Sequence, residues 1–121
     1  MKIIFFGFGK VGFLCLNELI KNDFSVVGVV PRSTDLGNTE DRYSVRNLAA
    51  EHSLKLYEHD DVGLAIYDGL RDVDYLISVQ YDRILKKDWL TLPTNDALNL
   101  HFSLLPKLRG CYPTKWAIIE G

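Results

Sequence analysis

Five short apolar runs alternate with stretches of helical periodicity along these 121 residues, and no other feature restricts the fold as much. The runs are "KIIFF" (2–6), "SVVGVV" (25–30), "LKLYE" (54–58), "VDYLISV" (73–79) and "ALNLHFS" (97–103). Runs of that length bounded by glycine, proline or polar residues read as strands. Between them, "VGFLCLNELIKN" carries Val11, Leu14, Cys15 and Leu19 at helical spacing. "SVRNLAAEHS" reads as a helix capped by Ser44. "DVGLAIYDGLRD" reads as a helix weakened by Gly63 and Gly69, and "RILKKDWLTL" as one that stops before Pro93. "PTKWAIIEG" places Pro113 in a first helical turn. Strand–helix alternation of this kind predicts an α/β fold, a doubly wound and mostly parallel sheet with helices on both faces. The predicted strand order is 3-2-1-4-5, with one domain over residues 1–121. In such sheets ligands bind beyond the carboxyl ends of the strands, near the switch in strand order. The loops after the first, fourth and fifth runs meet there.

Composition removes several classes of function. Hydrophobic residues make up 47% and charged residues 25%, which suits a packed core and not a disordered chain. The net charge of −2 offers no basic stripe for nucleic acid. Cys15 and Cys111 have neither metal-ligand spacing nor a histidine cluster, so both read as free thiols of a reducing compartment. The opening "MKIIFFGFGKVGFLCL" is interrupted by Lys10 and three glycines. It lacks a small-residue cleavage site and is too broken to span a membrane. The expected location is the cytoplasm, with no metal and no membrane partner.

"GFGKVG" (7–12) fits the G-x-G-x-x-G pattern between a strand and a helix. Gly7 would allow a tight turn, Gly9 the approach of a pyrophosphate and Gly12 close helix packing. An NAD(P)-binding module is therefore one reading. The acidic residue expected near the end of the second strand is missing, however. That end reads "VVPRST", where Arg32 offers at most a partner for a 2′-phosphate. A tight first turn is needed by any doubly wound sheet, with or without a nucleotide.

The stretch "ALNLHFSLLPKLRG" (97–110) asks for more. Along a strand Asn99, His101 and Ser103 point to one face. Central parallel strands are usually apolar on both faces, and burying such groups unpaired costs about 1–3 kcal/mol each. A lone histidine reads as structural; a row of three polar groups at the carboxyl end of a strand reads as a cleft wall. An amide donor can hold an oxyanion as a carbonyl carbon becomes tetrahedral. An imidazole moves protons near neutrality. Together Asn99 and His101 suit acyl transfer to an amine, while Ser103 has no activating partner in sequence.

"LNLHFSLLPKLRG" with "TKWAIIEG" resembles the signature of the folate-dependent formyltransferases, and the resemblance runs through "SVVGVVPRSTD" and "VDYLISVQYDRILKKDWLTLP" as well. It implies a Rossmann-like sheet that binds 10-formyltetrahydrofolate and not a dinucleotide. Asn99 would be the oxyanion stabiliser and His101 the proton-transfer residue. Arg83, Ile84 and Leu85 match the segment lining the pterin pocket, largely through backbone groups. Ser103, Leu104, Leu105 and Pro106 would lie beside the reacting centre, with Arg109 and Cys111 on the acceptor side. Leu108 stands where the family usually has tyrosine, and Cys111 where it has alanine or arginine, so the acceptor stays open.

The polar loop after "VVPRSTD" resembles the sugar N-formyltransferases, such as the domain acting on UDP-aminoarabinose, more than the tRNA enzyme. A nucleotide-linked amino sugar is thus the expected partner, with methionyl-tRNA as the alternative. The family's catalytic set includes an aspartate from a later segment, and no Asp here matches it. The expectation is an amino-terminal part of the fold, truncated and poorly active alone, with an exposed sheet edge free to pair with another chain.

Overall fold

A computed structural model describes residues 1–81 and 85–100. Among them four strands form a wholly parallel sheet: β1 (Lys2–Gly7), β2 (Ser25–Pro31), β3 (Tyr75–Val79) and β4 (Asp96–Leu100). Their order is β2-β1-β3-β4. This is the predicted order with the third run removed from the ladder. That run keeps its place beside β2 but makes a single parallel bridge, Val29 to Leu56. The Val29 N–H donates to the Lys55 carbonyl at 2.9 Å, and the Tyr57 N–H to the Val29 carbonyl at 2.9 Å. Lys55 and Glu58 face solvent on either side of the bridge, so the run brings apolar surface to this edge only through Leu54, Leu56 and Tyr57, and of these Tyr57 alone is fully buried. The run is too short in buried residues to extend as a strand.

Helices α1 (Gly9–Lys21) and α2 (Val45–Glu51) cover one face of the sheet. Helices α3 (Val62–Tyr67) and α4 (Lys87–Leu90) cover the other. β1 shows why it lies in the middle. Residues Ile3 to Gly7 are all buried, with Phe5 in the cluster under α1 and α2, and Ile4 and Phe6 in the cluster under α3 and α4. A strand apolar on both faces has no stable place at a sheet edge in water.

Local chemistry sets the helix ends. The Ser44 hydroxyl accepts the Asn47 N–H at 3.0 Å, the predicted cap of α2. Gly69 adopts a left-handed conformation (φ 89°) that breaks the run after α3 into a short 3-10 turn, Leu70–Asp72. α4 is one turn long because Leu85 is outside helical structure and Lys86 is extended, with Pro93 close behind. The predicted ten-residue helix over 83–92 is thus shorter among the described residues, and its Arg83 and Ile84 lie outside them. The helix read at "PTKWAIIEG" and the end of the fifth run also lie outside.

No helix among the described residues is long and apolar enough to cross a membrane.

Candidate active site

The carboxyl ends of the strands converge on the turn after β1. The Phe8 N–H donates to the Val79 carbonyl at 3.3 Å, and the Arg32 N–H to the Gly7 carbonyl at 3.3 Å. The ends of β2 and β3 therefore grip the turn from both sides. Gly9 sits in the left-handed region (φ 74°), open to L-residues only with strain. A Cβ on Gly12 would lie 3.3 Å from the Gly7 carbonyl carbon, and one on Gly7 would run into the Phe5 ring. Three glycines are thus used by the turn and by close packing of α1 on β1. No bound dinucleotide is needed to account for them.

β3 ends in an unusual way. Gln80 takes a positive φ (57°), rare outside glycine, and its N–H donates to the Leu100 carbonyl at 3.2 Å. This ties the end of β3 to the end of β4 at the residue just before His101. The turn after β1, Arg32 and the Gln80–Tyr81 corner enclose a cavity of about 340 Å³, lined by Phe8, Gly9, Lys10, Val11, Arg32, Gln80 and Tyr81. It lies between β1 and β3, where the chain changes direction across the sheet, the position that strand order predicts for a ligand. The Arg32 guanidinium stacks on the Phe8 ring at 4.6 Å, so a cation is held at the mouth.

Asn99 lies one residue from the end of β4, in register with Ser78 of β3 and, through it, with Phe6 of β1. It is exposed, while Ser78 and Phe6 are buried. The amide is thus carried at the carboxyl end of β4, as the strand alternation predicts, on the sheet face that also carries α3 and α4. Leu85 is partly buried and packs against the aromatic cluster on that same face. The remaining predicted site residues lie outside the described residues. They are His101, Arg83, Ile84, Ser103, Leu104, Leu105, Pro106, Arg109 and Cys111.

Beside this edge stands a group that the sequence does not announce. His59 is 6% exposed, and its Nδ1 lies 2.8 Å from the Tyr81 hydroxyl with the two rings stacked. The Trp89 Nε1–H donates to the His59 carbonyl at 2.8 Å. Phe6 meets both Tyr81 and Trp89 edge to face, at 5.2 and 5.1 Å. A histidine within "EHDD" reads as solvated, and the available signal is an aromatic, Tyr81, soon after a mostly buried strand. Cys15, by contrast, is no nucleophile: burial pushes its thiol up and keeps it protonated at neutrality. Among the described residues no cluster of His, Cys, Asp or Glu is placed to hold a metal ion.

The family model for formyl transferases matches residues 1–121, the whole chain. The chain belongs to the formyl transferase family. It is 32% identical over 130 residues to the bifunctional polymyxin resistance protein ArnA of Wigglesworthia glossinidia brevipalpis. It is 31% identical over 127 residues to the methionyl-tRNA formyltransferase of Clostridioides difficile, and 34% identical over 128 to that of Alkaliphilus metalliredigens. Each match covers 100% of this chain but only 19%, 41% and 40% of the relative, so the chain spans less than half of each. The polymyxin resistance protein and the methionyl-tRNA formyltransferases match at similar identity. The family is therefore fixed, and the four-stranded parallel sheet is its α/β architecture; the acceptor is not distinguished by likeness.

Proposed function

We propose that this formyl transferase moves a formyl group from 10-formyltetrahydrofolate to the amine of a nucleotide-linked amino sugar. The observation that carries the reading is the position of Asn99. A side-chain amide at the open carboxyl end of β4, next to a corner locked by the Gln80–Leu100 hydrogen bond, can hold a donor N–H against an incoming formyl oxygen. Attack by the acceptor amine on the formyl carbon forms the C–N bond and drives the carbonyl electrons onto oxygen. Asn99 stabilises that oxyanion. His101 takes a proton from the attacking amine and delivers one to the departing folate nitrogen as the old C–N bond breaks. Leu85, with Arg83 and Ile84, would line the pterin side, and Ser103, Leu104, Leu105 and Pro106 the reacting centre. Arg109 and Cys111 would face the acceptor.

Two observations support a sugar nucleotide over tRNA. The net charge is −2, where a tRNA surface calls for a basic stripe. The cavity at the switch point is small, about 340 Å³, and bears two cations, Lys10 and Arg32, suited to one or two phosphates.

The test has two arms. Calorimetric titration with 5-formyltetrahydrofolate should give a saturable complex, and NADPH none; a tight NADPH complex without a folate signal would overturn the donor assignment. Supplying 10-formyltetrahydrofolate with either a UDP-linked amino sugar or methionyl-tRNA, and following folate absorbance, reads the acceptor. Formylation of the sugar and not of the tRNA is expected, slow for these 121 residues alone, abolished by His101→Ala and lowered roughly 10²–10³-fold by Asn99→Ala. Formylation of the tRNA alone would reassign the acceptor.

A further inference from the structure

We propose that His59 is a positioning residue for the donor side of this site, acting through the Tyr81 hydroxyl and through Trp89. The inference rests on the assignment of the segment after β3 to the folate donor.

The geometry is that of a brace. His59 sits after the single-bridge run, in a loop with no role in the sheet ladder. Its ring bonds Tyr81 through Nδ1 at 2.8 Å, and its carbonyl takes the Trp89 indole N–H at 2.8 Å. Leu85 packs against the cluster that contains Tyr81 and Trp89, so one residue bonds two rings of that cluster. The next residue adds a third tie, Lys86 Nζ to Asp60 at 2.6 Å, exposed and correspondingly weak. Tyr81 also lines the switch-point cavity, with Gln80 beside it in its strained left-handed turn. A shift of the Tyr81 ring therefore moves a cavity wall and the approach to Leu85 together.

A buried imidazole is an odd choice for mere packing. Phe6 and Trp89 already supply apolar surface around Tyr81, and a leucine at 59 would extend it without a polar atom to satisfy. What histidine supplies is direction. The hydrogen bond fixes the Tyr81 hydroxyl, and the stacked rings at 17° fix its plane. Donor pockets lose affinity when their walls are misplaced by fractions of an ångström, so a residue that never touches the folate can still set its binding.

The experiment removes the bond and leaves the ring. His59→Phe keeps the stacking and loses Nδ1; Tyr81→Phe loses only the hydroxyl; His59→Asn places a polar atom close to where Nδ1 stands. Affinity for 5-formyltetrahydrofolate is measured by calorimetry, with urea unfolding of each variant as the folding check. His59→Phe and Tyr81→Phe should each weaken the folate complex roughly tenfold, the loss expected for one hydrogen bond. The double variant should be no worse than either single one, and His59→Asn should recover most of the loss. Because Tyr81 also lines the switch-point cavity, the double variant and the His59→Asn recovery, not acceptor affinity, separate the brace from a general loosening of the fold, in which the losses would add and would not be recovered. Should His59→Phe fail to fold, Tyr81→Phe reads the same bond. Unchanged folate affinity in folded His59→Phe and Tyr81→Phe, or effects that simply add in the double variant, would overturn the brace and leave the donor assignment standing. No folate complex with the unaltered chain would overturn both.

Discussion

The two faces of the sheet are built on different principles. Under α1 and α2 the core is mostly aliphatic: Leu16, Val26, Val29, Val45, Leu48 and Val79 surround the one buried ring of Phe5. Nothing in that cluster carries a polar atom in need of a partner. Under α3 and α4 four rings, Phe6, Tyr57, Tyr81 and Trp89, join the aliphatic side chains, and three of the four have a polar atom. Each of those atoms is bonded: Tyr57 Oη to Asp68 at 2.7 Å, Tyr81 Oη to His59, and Trp89 Nε1 to the His59 carbonyl. Among the described residues no buried side-chain nitrogen or oxygen lacks a partner. The aliphatic face is specified by volume. The aromatic face is specified by volume and direction, and it is the face on which Asn99 and Leu85 stand. Direction is what a site requires, and hydrogen-bonded rings provide it where interchangeable aliphatic chains do not.

The largest effect should come from the ring that unites the aromatic face. Trp89 is fully buried and touches Phe6 and Tyr57 edge to face. Trp89→Ala should cost about 3–5 kcal/mol, with a further loss because the His59 carbonyl is left without its donor. That approaches the whole stability of an ordinary domain. The comparison sharpens with gentler swaps. Trp89→Phe keeps most of the ring and should still cost about 2 kcal/mol, whereas Leu16→Met on the other face should cost under about 1.5 kcal/mol. Urea midpoints at constant slope decide it; equal costs for the two would erase the distinction between the faces.

The same difference explains what a reader of the sequence could see. Strand order, the central place of β1 and the cap at Ser44 all follow from local patterns: apolar runs, period and a hydroxyl three residues ahead of an N–H. Asn99 at the carboxyl end of β4 follows from period two. The turn glycines were legible as a turn, and their packing contacts support that use. The His59–Tyr81 pair was not legible, because its members are 22 residues apart and neither stands in a periodic run. Asp35 was hidden in the same way. It lies in the polar stretch read as a loop, yet it is 3% exposed and accepts from the Ser44 hydroxyl at 2.6 Å and from the Gly37 and Arg46 N–H groups. Long-range polar pairing leaves no mark on periodicity. The third strand misled for the opposite reason: its pattern was correct, but with Lys55 and Glu58 exposed it held too little apolar surface to join the ladder.

A smaller effect should come from Tyr57, whose ring covers Gly28 of β2. Tyr57→Phe keeps the ring and removes the bond to Asp68, at a cost of about 1 kcal/mol. Burial first, and the Asp68 carboxylate second, raise the Tyr57 phenol above its ordinary value near 10. A pKa raised by folding contributes stability that is whole below the unfolded value and is lost as pH rises through the folded one. The hydroxyl therefore works in full at neutrality, and its contribution declines only as pH climbs past about 10 toward the raised folded value. Phenolate absorbance should show one tyrosine ionising late, together with unfolding, and that phase should vanish in Tyr57→Phe. A late phase that survives the substitution would assign it to another ring.

The smallest effect tests the seam between the faces. Arg46 of α2 reaches from the aliphatic side to Glu58, which follows Tyr57 on the way to the aromatic side, in a two-pronged ion pair of 2.7 and 3.1 Å. Exposed pairs contribute about 0.2–1 kcal/mol, because ordering two long side chains offsets much of the attraction. Here part of that ordering is already done: Arg46 Nε donates to the Asp35 carbonyl at 2.8 Å, so the guanidinium is held whether or not Glu58 is charged. The pair should thus lie toward the upper end of that range although Glu58 is half exposed. The Arg46 hydrogen bond holds the Glu58 carboxyl below its usual range. A lowered carboxyl contributes stability present above the ordinary glutamate value, about 4.3, and lost as pH falls through the folded one. Glu58→Gln should therefore lower the urea midpoint slightly at pH 7, and unaltered chain and variant should converge as pH falls below the lowered folded value. The gap at pH 7 should also narrow in 1 M salt, where screening reaches about 3 Å, though the direct contact protects part of it. A gap that persists in strong acid, with every carboxylate protonated, would mean that Glu58 acts by packing and not by charge, and the seam would then be one more volume-specified contact of the aliphatic kind.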